Sequence, residues 1–236
     1  MFPFSESLPL DMHLSVHYEL ILQHIGPLLT AERRQKIDRV VAGRNFETAV
    51  VLESIYDRGN ISAVMRTAEG LGFANFHVIE THEKFKESHR VTQGADKWVE
   101  VSKWKQSRDC IRQLKEQGYR ICVTTLEASK PLSEVDFTGK TALVLGNEKE
   151  GVSREMIDAA DERVIIPMPG FVQSFNISVA GALCLYHILL DRTRRRGSNA
   201  DLTPQEQEIL KAMYYLRTQD SAVDFLKELF SRGSLA

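Results

Sequence analysis

The middle of the chain alternates between short apolar strands and helices, and this pattern restricts the fold more than any other feature. Residues 48–53 form a β-branched apolar run that predicts a strand, and residues 61–72 predict a helix that ends at glycine. Further strands are predicted at residues 76–80, 119–125, 141–146 and 163–167, and further helices at residues 107–118, 153–160 and 176–191, with an irregular segment at residues 81–105. We therefore expect an α/β fold with a mostly parallel sheet.

Both ends of the chain depart from this alternation. Residues 12–29 have a helical apolar pattern, and Thr30 predicts the N-cap of a second helix that ends at Gly43. Beyond the basic run RTRRRG, a polar linker leads to Thr203 and Pro204, which predict the start of another helix. The predicted parts are an N-terminal helical arm at residues 1–45, an α/β domain at residues 46–192 and a C-terminal helical extension at residues 193–236.

Charge and composition exclude several classes of protein. The chain carries 30 basic and 32 acidic residues, so it lacks the overall positive charge of many nucleic-acid-binding proteins. The sequence shows no signal-peptide pattern and no apolar run of membrane-spanning length, so we expect a cytoplasmic protein with no membrane partner. The three cysteines form no C-x-x-C pair, and the segment HLSVH lacks the glutamate of zinc proteases, so no metal site is expected.

In parallel α/β sheets, ligands bind beyond the carboxyl ends of the strands. No G-x-G-x-x-G or G-x-x-x-x-G-K follows a predicted strand, which argues against dinucleotide and P-loop nucleotide sites. The first strand is followed by the polar turn at residues 57–60 and by a helix that carries Arg66. A helix N-terminus and an arginine both bind phosphate, and the alternative is a capped surface helix with a solvated arginine.

Two later segments also follow strands. Gly146 and Gly151 bracket four polar residues, which favours a ligand loop over a tight turn, with a solvated loop as the alternative. Further on, a Pro- and Gly-rich loop leads to Ser174 and Asn176, which offer hydrogen bonds at a helix start or serve only as N-caps. The small residues 180–182 predict close backbone packing.

In this order, the three segments resemble the motifs of the SPOUT class of methyltransferases, in particular its SpoU/TrmH family. The matching residues are Asn60, Arg66 and Ala68; Gly146, Glu148 and Gly151 with Ile166, Pro167 and Met168; and Ser174, Asn176, Ser178 and Ala180. The resemblance covers about residues 30–195 and is greatest to the tRNA guanosine-18 2′-O-methyltransferases of this family. Residues 1–29 have no counterpart in it.

The resemblance implies a deep trefoil knot in the C-terminal part of the sheet and a homodimer with the active site between subunits. It also implies a cofactor, S-adenosylmethionine, bound in the knotted loops by Thr124, Leu145, Gly146, Ile166, Met168, Ser174 and Phe175. The implied catalytic residues are Arg66, Asn60, Glu148, Ser174 and Asn176. The family assigns proton removal to this arginine. Because a guanidinium does not readily deprotonate, we expect Arg66 instead to hold an RNA phosphate and the 2′-oxygen in line.

The basic residues predict a surface for RNA. The resemblance implies that tRNA contacts the arm at Arg33, Arg34, Arg39 and Arg44. A second group, Arg192, Arg194, Arg195 and Arg196, favours phosphate binding over a solvated helix end. Trp98 and Trp104 fit base stacking or, in preference, packing onto the sheet.

Together these resemblances predict an enzyme that uses S-adenosylmethionine to methylate a ribose 2′-oxygen in tRNA, at guanosine 18 of the D-loop. One alternative is a ribosomal RNA 2′-O-methyltransferase of the same family. The other is a non-catalytic RNA-binding protein on this fold, against which the intact residues Asn60, Arg66, Glu148 and Asn176 argue.

Overall fold

The computed structural model describes residues 2–80, 94–127, 129–219 and 221–232. The described strands are β1 (Ser7–Pro9), β2 (Ser15–His17), β3 (Asn45–Glu53), β4 (Phe73–Ile79), β5 (Glu100–Trp104), β6 (Arg120–Thr124), β7 (Lys130–Pro131), β8 (Thr141–Leu145) and β9 (Glu162–Ile165). The described helices are α1 (Tyr18–Ile25), α2 (Ala31–Ala42), α3 (Arg58–Gly70), α4 (Ser107–Glu116), α5 (Arg154–Ala159), α6 (Ile177–Arg196), α7 (Pro204–Thr218) and α8 (Ala222–Ser231). Contacts divide the chain into two compact units, one made of Met1–Arg44 and Leu202–Ala236 and the other of Asn45–Asp201.

The larger unit contains a seven-stranded sheet in the order β5-β4-β3-β8-β6-β9-β7. Each pair of neighbours in this sheet is parallel. Parallel strands align their carboxyl ends at one edge, where ligand sites of α/β proteins form. The predicted α/β class and the mostly parallel sheet are confirmed.

Helices cover both faces of this sheet. Val50 and Leu52 of β3 pack on one face with residues of α3 and α6, whereas Ala49 and Val51 pack on the other face with residues of α4 and α5. Successive side chains of a strand point to opposite faces, so a strand covered on both sides is apolar throughout. This burial explains why β3 is an unbroken apolar run.

The edge strand β5 differs from the prediction of an irregular segment at residues 81–105, of which residues 81–93 lie outside the described part. Within the described sheet, β5 pairs with β4 alone, and its sequence EVSKW is polar, as is common for edge strands. Trp104 at its end donates a hydrogen bond of 3.0 Å from Nε1 to His77 Nδ1. This tryptophan therefore packs on the sheet.

The smaller unit begins with a hairpin that was not predicted. The helix expected from residue 12 starts only at Tyr18, because Ser15–His17 pair with Ser7–Pro9 as antiparallel strands. Leu8 and Val16 are opposite each other in this pairing and are both buried. The predicted N-caps are confirmed: Thr30 Oγ1 accepts a hydrogen bond of 3.2 Å from the Arg33 N–H, and Thr203 forms a capping box.

The N-terminal and C-terminal segments pack together in the smaller unit, whereas the sequence predicted two separate extensions. Lys211 of α7 lies 2.9 Å from Asp38 of α2, and Lys227 of α8 lies 2.8 Å from Asp11. The larger unit in turn extends past residue 192 to Asp201, whose carboxylate accepts hydrogen bonds from the backbone at residues 46 and 47. In the described ranges, no helix is long and apolar enough to cross a membrane.

Candidate active site

A capped turn leads from β3 into α3 and fixes the start of the candidate site. The Asp57 carboxylate accepts a hydrogen bond of 2.7 Å from the Gly59 N–H and caps the helix. A Cβ added at Gly59 would meet Asp57 Oδ1 at 3.0 Å, so the turn is tight. This end of α3 already has an anionic partner, which favours the alternative of a capped helix start over a phosphate site.

Asn60, in the first turn of α3, joins two segments that follow other strands. Its Nδ2 donates a hydrogen bond of 2.8 Å to Glu148 Oε1, beyond β8. Its Oδ1 accepts a hydrogen bond of 3.3 Å from Asn176 Nδ2, at the start of α6. Three of the predicted catalytic residues therefore form one connected chain of side chains, although Glu148 and Asn176 lie 88 and 116 positions from Asn60 in the sequence.

The Glu148 carboxylate is oriented by two donors. Its second oxygen, Oε2, accepts a hydrogen bond of 3.0 Å from the Tyr56 N–H. Burial by itself raises the pKa of Glu148, but hydrogen bonds from Asn60, from the Tyr56 N–H and from the backbone of Glu148 and Asp57 together outweigh burial, so its pKa lies below the ordinary value. At neutral pH the site thus presents a negative charge in a defined orientation.

Glu148 projects from a closed turn. The backbones of Asn147 and Gly151 exchange hydrogen bonds of 2.8 and 2.9 Å. A Cβ added at Gly146 would meet the Gly151 carbonyl carbon at 2.4 Å, so only glycine fits where the two backbone segments pass each other. The run is therefore a closed turn, whereas the sequence favoured a ligand loop over a tight turn.

The side chain of Asn147 holds this turn in shape, a role that sequence reasoning missed. Its Oδ1 accepts hydrogen bonds from the backbone N–H groups of Lys149 at 2.8 Å and Glu150 at 3.1 Å. Its Nδ2 donates a hydrogen bond of 2.6 Å to the Ser54 carbonyl, just after β3. Asparagine commonly bonds to backbone groups two residues on, and its place in a glycine-bounded polar run was the available signal.

A buried carboxylate at the end of β3 was also missed. Glu53 is 2% exposed, and its carboxylate accepts hydrogen bonds from the hydroxyl groups of Ser107 and Ser153 and from the Ser153 N–H. Ser107 begins α4 and Ser153 caps α5. One carboxylate therefore connects the starts of two helices with the strand that precedes the site.

Asn176 has two roles that belong to different atoms of its amide. Its Oδ1 accepts hydrogen bonds from the Ser178 N–H at 2.9 Å and the Ser178 hydroxyl at 2.5 Å, which caps α6. Its Nδ2 donates to Asn60. The cap fixes the orientation of the amide, so Asn176 caps α6 through Oδ1 and at the same time donates a hydrogen bond to Asn60 through Nδ2.

Arg66 and Ser174 lie outside the connected chain of side chains. Arg66 is exposed on α3 and, in the part of the chain that the structure describes, forms no hydrogen bond or ion pair. Ser174 is likewise exposed and unpaired among the described residues. An exposed guanidinium with no protein partner is available to an anionic ligand.

The predicted cofactor residues lie along one edge of the sheet. The neighbouring strands β8, β6 and β9 end next to one another, at Leu145, Thr124 and Ile165. Thr124 Oγ1 donates a hydrogen bond of 3.0 Å to the carbonyl of residue 144, which joins β6 to β8 near this edge. Of the remaining predicted residues, Gly146 directly follows β8 and Ile166 directly follows β9, while Met168, Ser174 and Phe175 lie in the segment between β9 and α6.

The segment of residues 167–175 has the chemistry to hold a cofactor such as S-adenosylmethionine. Considering only the described residues, none of its backbone groups forms a hydrogen bond, so they are free to bind a ligand. Phe171, Val172 and Phe175 leave apolar side chains exposed in the same segment. Free backbone groups beside apolar side chains suit an adenosine, which has a flat ring with donor and acceptor edges.

Arg192 was predicted to bind RNA, but its position in the structure does not fit that role. Its side chain is fully buried, forms an ion pair of 2.7 Å with Glu47, and lies 3.9 Å from Asp201. Its guanidinium also donates a hydrogen bond of 3.0 Å to the Phe137 carbonyl. This arginine neutralises internal carboxylates, which leaves no surface for phosphate.

The neighbouring arginines at the end of α6 remain at the surface. Arg194 and Arg195 are exposed, and Arg195 donates a hydrogen bond of 2.7 Å from Nε to Asp191. Arg196 bonds to Glu47 and to the Thr138 carbonyl. Arg194 is therefore the member of this group that is best placed to meet a ligand.

The position of Arg44 does not fit its predicted role in RNA binding either. It is 1% exposed, and its Nε donates a hydrogen bond of 2.9 Å to the Tyr214 hydroxyl inside the smaller unit. On α2, Arg33 and Arg34 are half-buried, and Arg34 donates a hydrogen bond of 2.9 Å to the Gly26 carbonyl. Arg39 is exposed. The predicted RNA-binding arm thus has one fully surface-facing arginine.

The chain was compared with known proteins. A model of the SpoU rRNA Methylase family matches residues 47–186. The tRNA (guanosine(18)-2'-O)-methyltransferase of Borreliella burgdorferi is 38% identical over 83% of this chain and 91% of that protein. The 23S rRNA (guanosine-2'-O-)-methyltransferase RlmB of Vibrio parahaemolyticus is 30% identical over 66% of this chain and 64% of that protein. The TrmH/SpoU tRNA modifying enzyme of Aquifex aeolicus matches with a TM-score of 0.70 and 31% identity, over 78% of this chain and 95% of that structure.

The region matched by the family model contains the side chains of Asn60, Glu148 and Asn176 and the strand ends beside them. The match spans more than half of the chain, and the Borreliella relative extends the similarity to most of both sequences. The motif order, the parallel sheet and these similarities agree, and the chain belongs to the SpoU rRNA methylase family.

Proposed function

We propose that this chain transfers a methyl group from S-adenosylmethionine to the ribose 2′-oxygen of guanosine 18 in tRNA. The observation that carries the proposal is the hydrogen-bonded chain of Asn176, Asn60 and Glu148, at the carboxyl edge of a sheet of this family. The tRNA (guanosine(18)-2'-O)-methyltransferase names of several relatives favour tRNA as the substrate.

S-adenosylmethionine supplies a methyl group that its sulfonium already activates. A ribose hydroxyl is a poor nucleophile, so the protein has to place the 2′-oxygen and help its proton to leave. We assign Arg66, exposed and unpaired among the described residues, to hold an RNA phosphate and the 2′-oxygen in line. Because a guanidinium does not readily give up a proton, Arg66 positions the hydroxyl, whose proton passes to solvent water as the methyl group is transferred.

The other site residues orient the two substrates. Glu148 is ionised and fixed by its two donors, so it can accept hydrogen bonds from the bound nucleotide. Asn60 and Asn176 fix each other's amides, and the Ser174 hydroxyl, which has no partner among the described residues, can donate to a substrate. The groups assigned to hold the cofactor are those of Thr124, Leu145, Gly146, Ile166, Met168, Ser174 and Phe175.

The trefoil knot belongs to the same proposal. The sheet order places β6 between β8 and β9, both of which come later in the sequence, so the chain crosses back over β6. Such a crossing needs close packing, and a Cβ added at Gly181 of α6 would meet Leu145 Cδ1 and Val64 Cγ2 at 3.1 Å each. Both features support a chain threaded at the carboxyl edge of the sheet.

A homodimer is supported by α6. Val179, Leu183, Tyr186 and Leu190 are 45%, 42%, 53% and 40% exposed. Their spacing of four, three and four residues puts them on one side of the helix, and an exposed apolar stripe of this kind is typical of an interface. A two-fold arrangement with a second copy covers it most simply. Light scattering should give twice the chain mass of 26.8 kDa, and Leu183→Asp should give monomers.

RNA binding is assigned to arginines that remain at the surface. Arg39, Arg194 and Arg195 are exposed, and Arg33 and Arg34 are partly exposed. Phosphate contacts by such side chains supply affinity that falls with salt and carries no information on sequence.

The proposal is tested by methyl transfer to defined RNAs. The protein is incubated with methyl-labelled S-adenosylmethionine and either unmodified tRNA or ribosomal RNA, and the labelled nucleotide is mapped after digestion. Label on the ribose of guanosine 18 is expected, with Asn60→Ala as the inactive comparison. Label on a base overturns the proposal. Label on ribosomal RNA alone favours the activity named for the Vibrio relative. RNA binding without transfer shows a non-catalytic protein.

A further inference from the structure

Tyr56 lies at the candidate site with its ring in solvent. The residue is 76% exposed, while its backbone N–H donates the hydrogen bond of 3.0 Å to Glu148 Oε2. Because the ring and the N–H belong to the same residue, the ring stays within one side-chain length of the N–H that bonds to the Glu148 carboxylate. A large aromatic side chain in water gains free energy when a flat ligand covers it.

Lys149 holds a positive charge over this ring. Its Nζ lies 5.1 Å from the centre of the Tyr56 ring, within the range of a cation–π contact. Its backbone is fixed because its N–H donates to Asn147 Oδ1. The closed turn therefore presents an ammonium group and an exposed aromatic ring side by side, next to Glu148.

This pair has the chemistry that single-stranded RNA requires. Unstacked bases bind on aromatic side chains, and phosphates bind to lysine. Nearby Asp57, Glu148 and Glu150 are acidic, so an RNA chain that reaches the site needs a local cation. Lys149 supplies that cation at the position where the aromatic ring is available.

We propose that Tyr56 and Lys149 form the subsite for the nucleotide that is methylated, with its base stacked on Tyr56 and its phosphate paired with Lys149. This inference rests on the proposed function, because it takes Glu148 to mark the place of the target ribose. The Tyr56 N–H bonds to the Glu148 carboxylate. When the target ribose lies beside Glu148, the base of the same nucleotide is therefore within reach of the Tyr56 ring. Stacking accepts any base, so the subsite contributes affinity and placement, and the choice of guanine lies elsewhere.

Substitutions of Tyr56 can test the role of its ring separately from the role of its backbone N–H, which bonds to Glu148. Tyr56→Leu removes the aromatic ring but keeps the backbone N–H that bonds to Glu148. The KM for tRNA should rise roughly 5- to 150-fold, the range for loss of one base–aromatic stack, with little change in kcat. Tyr56→Phe should match the wild type. Lys149→Gln should weaken tRNA binding and lower the slope of log affinity against log salt by about 1. Met12→Ala removes another exposed apolar side chain, 92% exposed, and should change nothing.

The decisive experiment uses tRNA with 2-aminopurine at the nucleotide that mapping identifies, bound at saturation without methyl transfer. Stacking on an aromatic ring quenches this fluorophore, so the complex with Tyr56→Leu should be at least about 2-fold brighter than those with the wild type and Tyr56→Phe. Equal fluorescence in the three complexes, with tRNA methylation intact, overturns the subsite alone. If the wild type neither binds nor methylates tRNA, the proposed function falls and the subsite with it. Circular dichroism and a melting curve for Tyr56→Leu exclude a folding defect.

Discussion

Ser153 donates two hydrogen bonds to Glu53, one of 2.8 Å from its N–H and one of 2.7 Å from its hydroxyl. Glu53→Gln keeps the size of this buried side chain but replaces one carboxyl oxygen, which accepts hydrogen bonds, with an NH2 group that can only donate them. We expect the free energy of unfolding in urea to fall by about 1–3 kcal/mol. Ser153→Ala, which loses one bond and the cap of α5, should cost about 1 kcal/mol. A Glu53→Gln protein as stable as the wild type would contradict this role.

The titration of Glu148 should depend on Asn60. Burial raises the pKa of Glu148, but hydrogen bonds led by that of Asn60 bring it below its ordinary value of 4.5. The stability that this carboxylate contributes is therefore present above pH 4.5 and lost as the pH falls through its lowered pKa. Asn60→Ala should move the Glu148 midpoint in carbon-13 NMR upward. Asp136, whose pKa is lowered by hydrogen bonds from Thr138, is the internal control and should titrate identically in both proteins. An unchanged Glu148 midpoint would show that the contact of Asn60 and Glu148 is absent in solution.

Arg66 should be needed for methyl transfer and dispensable for folding. The residue is exposed and unpaired in the described chain, so Arg66→Ala should change stability by less than about 0.5 kcal/mol. Single-turnover rates at saturating tRNA should fall on the order of 100-fold or more, with the cofactor still bound. Arg66→Lys should not restore the rate, because a point charge lacks the planar fork of a guanidinium. Near-normal rates in the alanine variant would remove Arg66 from the mechanism.

Gly181 should tolerate no side chain. A Cβ there would lie 3.1 Å from both Leu145 Cδ1 and Val64 Cγ2, so Gly181→Val has to push these two side chains aside. We expect a loss of about 1–3 kcal/mol in stability, and weaker binding of S-adenosylmethionine in calorimetry because Leu145 moves. Gly70→Ala is the matched control, since nothing lies within 4 Å of the added carbon. Because Gly70 lies in a helix, Gly70→Ala should raise the free energy of unfolding by roughly 0.5–1 kcal/mol. Equal stability of the two variants would refute the close approach.

Two arginines of the arm region should give opposite results. Arg39 is exposed, so Arg39→Ala should weaken tRNA binding and reduce the salt slope by about 1 without a change in melting temperature. Arg44 is buried against Tyr214, so Arg44→Ala should lower the melting temperature. Filter binding at several salt concentrations and differential scanning calorimetry give the two readouts. A loss of stability in Arg39→Ala, or none in Arg44→Ala, would reverse the assignment.

Local patterns predicted five of the seven strands of the large sheet, β3, β4, β6, β8 and β9, and the polar segments that follow three of them. An apolar run that ends in polar residues marks the end of a strand, and parallel strands bring such ends together. This rule found the polar segments that contain Asn60, Glu148 and Asn176, and the resemblance to the SpoU/TrmH family then selected these three residues. The edge strand β5 was not predicted, because an edge strand has only one neighbouring strand and keeps a polar composition.

The roles of single arginines could not be predicted, because they depend on partners far along the chain. Arg44 bonds to a tyrosine 170 positions away, and Arg192 bonds to a glutamate 145 positions away. Nothing near either arginine in the sequence distinguishes it from the exposed Arg39 or Arg194. The same holds for Glu53, which meets Ser153 only after two helices have packed.

The larger unit is an insertion within the sequence of the smaller one, whose two pieces are Met1–Arg44 and Leu202–Ala236. During synthesis, α1 and α2 leave the ribosome long before α7, whose Lys211 pairs with Asp38 of α2. The inserted unit has all of its strands available first, so it can fold while the N-terminal helices still lack their partners. The order of translation thus makes the smaller unit the last part of the protein to be completed.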